Sequence, residues 1–189
     1  MEEMTIDRTA TRPLSDVEHA HAWLERFNAA LRSDSTESLA ALFVDDSHWR
    51  DLMAFTWTIT PHDGRARIVE GLMQAQPTVQ ARDFRLAAGL TPPRRIRRIG
   101  NDVIECMIAF ETQSGRGLGL LRLLVDQPSK AWVLMTSLEE LKGFEEPIHD
   151  HRPSGDDYSR IFGGKNWSDM RQDEQAFADR DPAVLIVGA

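Results

Sequence analysis

The first third of the chain has apolar residues at helical spacing. Ser15 and Glu18 form a capping-box pattern, and the apolar positions that follow alternate in steps of three and four: Val17, Ala20, Leu24, Phe27 and Leu31. This is the pattern of one buried helix stripe, and it predicts a helix ending near Ser33. A second helix start follows at Asp34 with Glu37, ahead of Leu39, Leu42 and Phe43. Two consecutive amphipathic helices are therefore expected.

The spacing of apolar residues changes in the next segments. Residues 48–59 are rich in aromatic and β-branched side chains, which favours an extended segment, and Thr60–Gly64 has turn composition. Ile68, Val69, Leu72 and Met73 predict a short third helix closed by Pro77. Alternation with period two begins at Phe84, and four strands are predicted at 94–99, 103–112, 117–125 and 131–137. Residues 117–125 are strongly apolar on both faces, as in a central strand. The predicted order is α-α-β-α followed by a four-stranded meander.

This order predicts an α+β fold, with three N-terminal helices packed on a strongly bent antiparallel sheet. Residues 1–14 are expected to form a flexible tail, and 15–138 the folded domain. Residues 139–181 have the glycine and proline content of a linker or arm, with Asn166 capping a short helix over Trp167–Ala178. Residues 182–189 end in a β-branched-rich run and Gly188, as the first strand of a dinucleotide-binding domain does.

Composition narrows the classes of partner. The 189 residues are 41% hydrophobic and carry a formal net charge of −8, which disfavours nucleic acid and anionic membranes as partners. No signal peptide or 20-residue apolar run is present, so a cytoplasmic protein is expected. The basic run Arg94–Arg98 predicts a solvated edge strand, with an anion or cofactor contact as the alternative. Cys106 lies among apolar residues and is expected to be a buried thiol.

Two blocks of sequence carry a resemblance to a known family. The first is Leu42–Trp57, with the motif Trp49-Arg50-Asp51-Leu52 followed by Phe55-Thr56-Trp57; the second combines Leu141–Glu146, Gly164–Trp167 and Val184–Ala189. Together they resemble the NTF2-like (SnoaL-like) domain found at the N-terminus of flavin-containing monooxygenases. The resemblance covers nearly the whole chain from about Val17.

The resemblance implies a cone-shaped sheet with a pocket, a homodimer formed through the sheet, and a flavoprotein domain as a further partner. It also implies that the segment ending in Gly188 leads into an FAD-binding turn. The second and third glycines of that turn are absent, so Gly188 is the single cofactor-binding candidate. This chain alone is therefore expected to hold no cofactor, with FAD and NADPH bound only in a complete fusion protein.

Asp51 is the candidate general base, because a carboxylate in apolar surroundings is a better proton acceptor near neutrality. His62 on the following turn is the candidate proton relay. Trp49, Met53, Phe55 and Trp57 are the candidate pocket residues, suited to a hydrophobic small molecule. The structural alternative is that Asp51 bonds backbone amides or pairs with an arginine such as Arg67.

No metal site is expected. The cluster His149-Asp150-His151 supplies too few ligands for a tetrahedral zinc site. Three functions stay open on the sequence alone. The first is a non-catalytic accessory domain of a flavin-containing monooxygenase, used for dimerisation, docking or ligand binding. The second is a stand-alone isomerase, dehydratase or cyclase with Asp51 as base. The third is a pure ligand-binding or interaction module.

Overall fold

The structure is a computed structural model, and it describes residues 12–147 and 163–178 together with Asp181 and Val184. The chain divides into two compact units, Met1–Glu146 and Pro147–Ala189. The first unit contains all of the described strands and three helices, and the second contains one helix.

Helix α1 spans Asp16–Ser33 and begins as the sequence predicts, since Ser15 and Glu18 form the capping box. The buried stripe is confirmed at Ala20, Leu24, Phe27 and Leu31, and Trp23 and Ala30 are buried with them. Val17, the first position of the predicted stripe, is instead 39% exposed. Asp34 is not the cap of the second helix, however. It ends α1 in the left-handed conformation at φ 52°, and Ser35 caps the short helix α2, Thr36–Ala40. Asp tolerates this conformation better than most residues, which explains the shift by one position.

Helix α3 spans Arg65–Val79, and with it the elements depart from the expected order. Only α1 is a long helix ahead of the sheet, because α2 has five residues and α3 follows two strands. The expectation of three N-terminal helices is thus corrected to one. Pro77 lies inside α3 rather than closing it.

The sheet has seven strands. They are β1 Phe43–Leu52, β2 Ile59–Asp63, β3 Arg82–Leu86, β4 Arg94–Arg98, β5 Asn101–Glu111, β6 Gly115–Leu124 and β7 Ala131–Leu141. The strand order is β2-β1-β7-β6-β5-β3, and β4 also pairs with β5. The sheet is mixed and not purely antiparallel as expected, because β1 runs parallel to β7. Strand β7 continues beyond position 138, where the sequence analysis ends the domain, to Leu141.

The segment predicted as one extended stretch over 48–59 is two strands. Strands β1 and β2 form an antiparallel hairpin in which Leu52 pairs with Ile59. The chain turns between them through residues 53–58, and Met53 and Trp57 both have positive φ. Residues 60–63, predicted as a turn, therefore belong to strand β2, and Gly64 precedes helix α3 with φ 86°.

One face of the sheet is covered by helices α1 and α3, and the core lies between these layers. Alternation along each strand places the core residues on that face, for example Ile104, Cys106, Ile108 and Phe110 of β5. Cys106 is buried as predicted, and Trp23 and Trp132 are buried at 0% and 7% exposure. Leu118, Leu120 and Arg122 of β6 point to the opposite face, which no described element of this unit covers.

In the second unit, helix α4 spans Trp167–Ala176, two residues shorter than predicted. Its predicted cap is confirmed, because Asn166 and Asp169 form a capping box. Within the described residues, no helix has the length and apolar content to cross a bilayer. Gly188, the cluster His149-Asp150-His151 and most of residues 1–14 lie outside the described residues.

Candidate functional site

Asp51 is completely buried at the end of strand β1, and both carboxylate oxygens are hydrogen-bonded. Oδ2 accepts from the backbone N–H groups of Phe55 at 2.9 Å and Thr56 at 2.8 Å, and from the Thr56 hydroxyl at 2.8 Å. Oδ1 accepts from the Thr136 hydroxyl at 2.7 Å. Each carboxylate oxygen has two lone pairs, so the three bonds at Oδ2 occupy that oxygen fully, and Thr136 takes one of the two positions at Oδ1. This matches the amide-bonding half of the structural alternative, with Thr136 of β7 in place of Arg67.

The Asp51 network continues to Trp49. The Trp49 indole Nε1 donates to Thr136 Oγ1 at 3.0 Å, so the threonine hydroxyl links the indole to the carboxylate. Trp49 and Asp51 lie on the same face of β1, as the alternation predicts. All three side chains are at most 1% exposed. The arrangement ties strand β1 to strand β7 at the parallel pairing of the sheet.

His62 lies on strand β2 and stacks on Trp49, with ring centroids 4.6 Å apart and an interplanar angle of 13°. It is opposite Trp49 in the register and not on a turn as predicted. Its Nε2 atom is buried and has no hydrogen-bond partner among the described residues. Gly71 of helix α3 makes room for the ring, because a Cβ there would lie 2.6 Å from His62 Cε1.

The interior between helices and sheet is filled by rings in sequential contact. Their centroid distances are 4.9 Å for Phe27–Phe84, 4.7 Å for Phe84–Phe110, 6.2 Å for Phe110–Phe55 and 5.3 Å for Phe55–Trp49. These are the separations of packed aromatic pairs. The space in which the resemblance implies a ligand pocket therefore holds core side chains of this chain.

The four predicted pocket residues separate into two groups. Trp49 and Phe55 are buried in the core, at 1% and 4% exposure. Met53 and Trp57 are 46% and 58% exposed, and lie on the turn between β1 and β2. Met53 does not share the face of Asp51 as alternation predicts, because β1 ends at Leu52 and the positive φ of Met53 turns the chain away.

The solvent-facing side of the sheet, which we call the outer face, has an apolar centre. Cross-strand pairs align Met107, Leu120 and Met135 in one row that continues to Arg50 of β1. A neighbouring row contains Ala109, Leu118, Ser137, Leu52 and Ile59. Apart from the exposed Ile59 and Arg50, these side chains are partly buried. The resemblance implies contact through the sheet, but no signal in the sequence singles out these residues.

A third row of the outer face is charged at both ends. Arg122 donates to Glu105 at 2.8 Å, and Arg98 of β4 donates two bonds to the same carboxylate at 3.1 Å each. The hydrogen bond from Arg98 is the largest cause that holds the pKa of Glu105 below its usual range, and burial acts against it. At the other end, His48 Nδ1 lies 2.7 Å from the Asp63 carboxylate. That contact similarly lowers the pKa of Asp63.

A depression of about 460 Å³ opens on the outer face between these charged ends. Its apolar lining includes Trp132, Met135, Leu120 and Ile99, and its polar lining includes Arg50 and Arg122. Ile99, on the turn between β4 and β5, is 91% exposed at its margin. A volume in the range of about 300–1,000 Å³ accommodates a large side chain or a small molecule.

The arginines of Arg94–Arg98 are paired with carboxylates. Arg94 and Arg98 contact Glu105, Arg95 contacts Asp16, and Arg97 lies 3.8 Å from Asp102. Within the described part of the chain, the strand pairs only with β5. These observations favour the solvated edge-strand interpretation over an anion or cofactor contact. Among the described residues, no group of three or more His, Cys, Asp or Glu side chains has the arrangement of a metal site.

The chain matches no protein-family model and no curated protein. Solved structures similar to it include an NTF2-like protein of unknown function from Mesorhizobium loti, 17% identical, with a TM-score of 0.43 over 67% of this chain and 96% of that chain. A domain with a cystatin-like fold from Nostoc punctiforme is 19% identical, with a TM-score of 0.48 over 67% and 80%. An LEH-like epoxide hydrolase from M. tuberculosis is 14% identical, with a TM-score of 0.41 over 67% and 83%. At these values the likeness concerns the fold, and the functional argument rests on the residues above.

Proposed function

We propose that this chain is a non-catalytic accessory domain of NTF2-like type that acts by self-association through the outer face. Asp51 is in this proposal a structural residue that joins β1, β7 and the β1–β2 turn. The observation that carries the proposal is the contrast between the two sides of the sheet. On the inner side, core side chains fill the space and both oxygens of Asp51 accept hydrogen bonds. The outer side instead presents rows of apolar side chains to solvent.

Two features of Asp51 disfavour catalysis: a substrate cannot reach the buried carboxylate, and its oxygens already accept hydrogen bonds from the chain. A general base must lie within hydrogen-bond distance of the proton that it removes. Asp51 is 0% exposed, and its oxygens already accept four hydrogen bonds from the chain. A substrate would have to displace the Phe55 and Thr56 amides or the Thr136 hydroxyl, which would leave buried donors without acceptors.

The case for association rests on the size and chemistry of the outer face. Strands β1, β5, β6 and β7 have ten or eleven residues each. At about 4.8 Å between strands and about 3.3 Å per residue, they present a footprint of roughly 19 Å by 33 Å. This approaches the ~800 Å² that each partner contributes to a standard interface. An apolar centre with charged margins is the usual composition of such a contact.

Sedimentation equilibrium tests the proposal. The wild-type chain is expected to be a dimer, and Met135→Glu is expected to be a monomer with an unchanged circular dichroism spectrum. Leu90→Glu is the matched control, because Leu90 lies between β3 and β4, outside the strands of the outer face. A monomeric wild type up to millimolar concentration would contradict the proposal, and so would equal effects of both substitutions.

The association with a flavin-containing monooxygenase is proposed on the sequence resemblance. Equilibrium dialysis of the purified chain against FAD, with an absorbance spectrum before and after, tests the expectation that this chain alone binds no flavin. The chain is expected to retain no flavin, because the glycine pattern of the phosphate turn is incomplete in this sequence. A stoichiometric flavin spectrum that survives dialysis would contradict this part.

One observation favours a second candidate, a stand-alone isomerase, dehydratase or cyclase. His62 has a buried Nε2 without a described partner and stacks on Trp49, next to Asp51 along the same strand face. A buried polar atom without a hydrogen-bond partner calls for an explanation, and a role in proton transfer is one explanation for a histidine. If this candidate is right, Asp51→Asn loses turnover and keeps its stability, whereas a structural role of Asp51 predicts a loss of stability.

A further inference from the structure

The turn between β1 and β2, residues 53–58, which we call the hairpin tip, exposes apolar side chains. Trp57 is 58% exposed and Met53 is 46% exposed, and Ile59 beside the tip is 69% exposed. From Met53 to Pro61 the sequence has no charged residue, although 28% of the chain is charged. Exposed tryptophan and methionine without neighbouring charges are enriched at protein contacts.

The hairpin tip has an unusual backbone. Met53 has φ 64° and Trp57 has φ 56°, in the left-handed region that bulky residues rarely adopt. A conformation of this kind persists only where surrounding contacts determine it, and it is concentrated at functional segments. The backbone conformation thus gives the exposed tryptophan a defined place.

Asp51 supplies those contacts. Its Oδ2 accepts from two successive tip amides, Phe55 and Thr56, and from the Thr56 hydroxyl. The Met53 N–H donates to the Thr58 carbonyl at 3.0 Å and closes the turn. Phe55 enters the core and anchors the middle of the tip. The tip is preorganised by these bonds, which lowers the entropic cost of binding.

The outer face offers a complementary site for Trp57. The depression of about 460 Å³ has apolar walls formed by Trp132, Met135 and Leu120, with Arg50 at its lining. Arg50 has no salt-bridge partner among the residues that the structure describes. A guanidinium at the wall of a pocket stacks favourably on an indole ring. The depression is therefore suited in size and chemistry to an aromatic side chain.

Two-fold symmetry brings the tip and the depression together. Along β1 the depression lies at His48 and Arg50, and the tip begins just after Leu52, on the C-terminal side of the depression. A two-fold axis between two outer faces, perpendicular to the strands, reverses the strand direction. If the axis crosses β1 between Arg50 and the tip, the tip of one copy is placed over the depression of the other, and each contact is made twice, as in an isologous interface.

We propose that the hairpin tip is a specificity element for self-association, in which Trp57 of one copy occupies the outer-face depression of a second copy. This inference rests on the proposed function, because it requires the outer faces to meet. It adds a defined register to that contact and assigns a role to the exposed tip, which the proposed function does not use.

The first test compares dimer dissociation constants by sedimentation equilibrium. Trp57→Ala is expected to weaken the dimer by at least about tenfold, as removal of a central tryptophan does, and Trp57→Phe by less. Leu90→Ala is the control and is expected to change nothing. If the wild type dimerises and Met135→Glu prevents it, but Trp57→Ala has the wild-type constant, the inference fails while the proposed function stands. A monomeric wild type overturns both.

The second test is disulfide cross-linking between two single-site variants, Trp57→Cys and Ile99→Cys. The native Cys106 does not interfere, because burial raises the pKa of its thiol to about 12 and leaves it unreactive. Mixing the two variants under mild oxidation is expected to give a covalent heterodimer in high yield. Replacing Ile99→Cys by Leu90→Cys is expected to give background yield, and equal yields would overturn the inference.

A lipid surface is the competing occupant of an exposed apolar tip. The net charge of −8 and the ion pairs beside the depression favour a protein partner over an anionic bilayer. Phosphatidylcholine vesicles are expected to leave the fluorescence of the chain unchanged. A vesicle-dependent blue shift that disappears in Trp57→Ala would contradict the inference and assign the tip to membranes.

Discussion

The substitution Asp51→Asn would preserve the shape of the side chain but remove its charge. Three donors now converge on Oδ2, from Phe55 N–H, Thr56 N–H and the Thr56 hydroxyl, and a fourth, from Thr136, reaches Oδ1. An amide oxygen can replace Oδ2. The amide nitrogen cannot replace Oδ1, because it has no lone pair for the Thr136 proton.

The expected loss of stability in Asp51→Asn can be worked out from the change in each of these four hydrogen bonds. A hydrogen bond to a charged acceptor contributes about 1.5–3 kcal/mol, against about 0.5–1.5 kcal/mol for a neutral one. Three weakened bonds and one lost bond, partly offset by the lower desolvation cost of a neutral side chain, predict a loss of about 2–4 kcal/mol. For a domain of this size, that lowers the melting temperature by roughly 4–16 °C.

Urea unfolding at fixed protein concentration, followed by tryptophan fluorescence, measures this loss for Asp51→Asn. Asp46→Asn is the matched control, because Asp46 lies exposed on the same strand and should change stability by less than about 0.5 kcal/mol. Thr136→Val allows a double-mutant cycle with Asp51→Asn. If Trp49, Thr136 and Asp51 form one network, the double variant loses less stability than the sum of the losses in the two single variants. Wild-type stability in the Asp51→Asn variant would refute the structural role of this carboxylate.

Three further predictions concern stability. The pKa of Glu105 is lowered by Arg98, so its stabilisation is present above the unfolded value of about 4.3 and is lost as pH falls below it; urea midpoints at pH 6 and pH 4 should differ less in Glu105→Gln than in the wild type. His62→Phe should keep the stacking on Trp49 and remove an unpaired nitrogen, so the free energy of unfolding measured by calorimetry should rise by between zero and about 1 kcal/mol. A large loss of stability would contradict the absence of a hydrogen-bond partner for His62 in the described part of the chain. Gly119→Ala places a Cβ against the Met135 carbonyl oxygen and should cost about 1–3 kcal/mol, and an unaffected urea midpoint would contradict that register.

Sequence patterns over a few residues predict the helix starts and the strand faces of this fold. The capping boxes at Ser15 and Asn166 require only residues three positions apart, and both are present. Alternation in β5 likewise follows from one buried face. The parallel pairing of β1 with β7 could not be predicted in this way, because it joins residues that lie far apart in the sequence, such as Asp51 and Thr136.

At the candidate site too, contacts between sequence neighbours could be predicted and contacts between strands could not. The sequence indicates that Asp51 lies among aromatic residues, and Trp49 and Phe55 are indeed its neighbours. It gives no signal for Thr136, which donates to Asp51 from another strand. Turn composition over 60–64 places His62 on a turn, because Pro61 and Gly64 are common there. Pairing of β2 with β1 decides otherwise and brings His62 onto Trp49.

Intermolecular contacts of methionine methyl groups test the association through the outer face most directly. Met107 and Met135 lie on that face, whereas Met73 of helix α3 packs against the core. In an equal mixture of methyl-labelled and unlabelled chains, isotope-filtered NOE spectra should show intermolecular contacts for Met107 and Met135 and none for Met73. A dimer whose intermolecular contacts involve Met73, with Met107 and Met135 silent, would contradict association through the outer face.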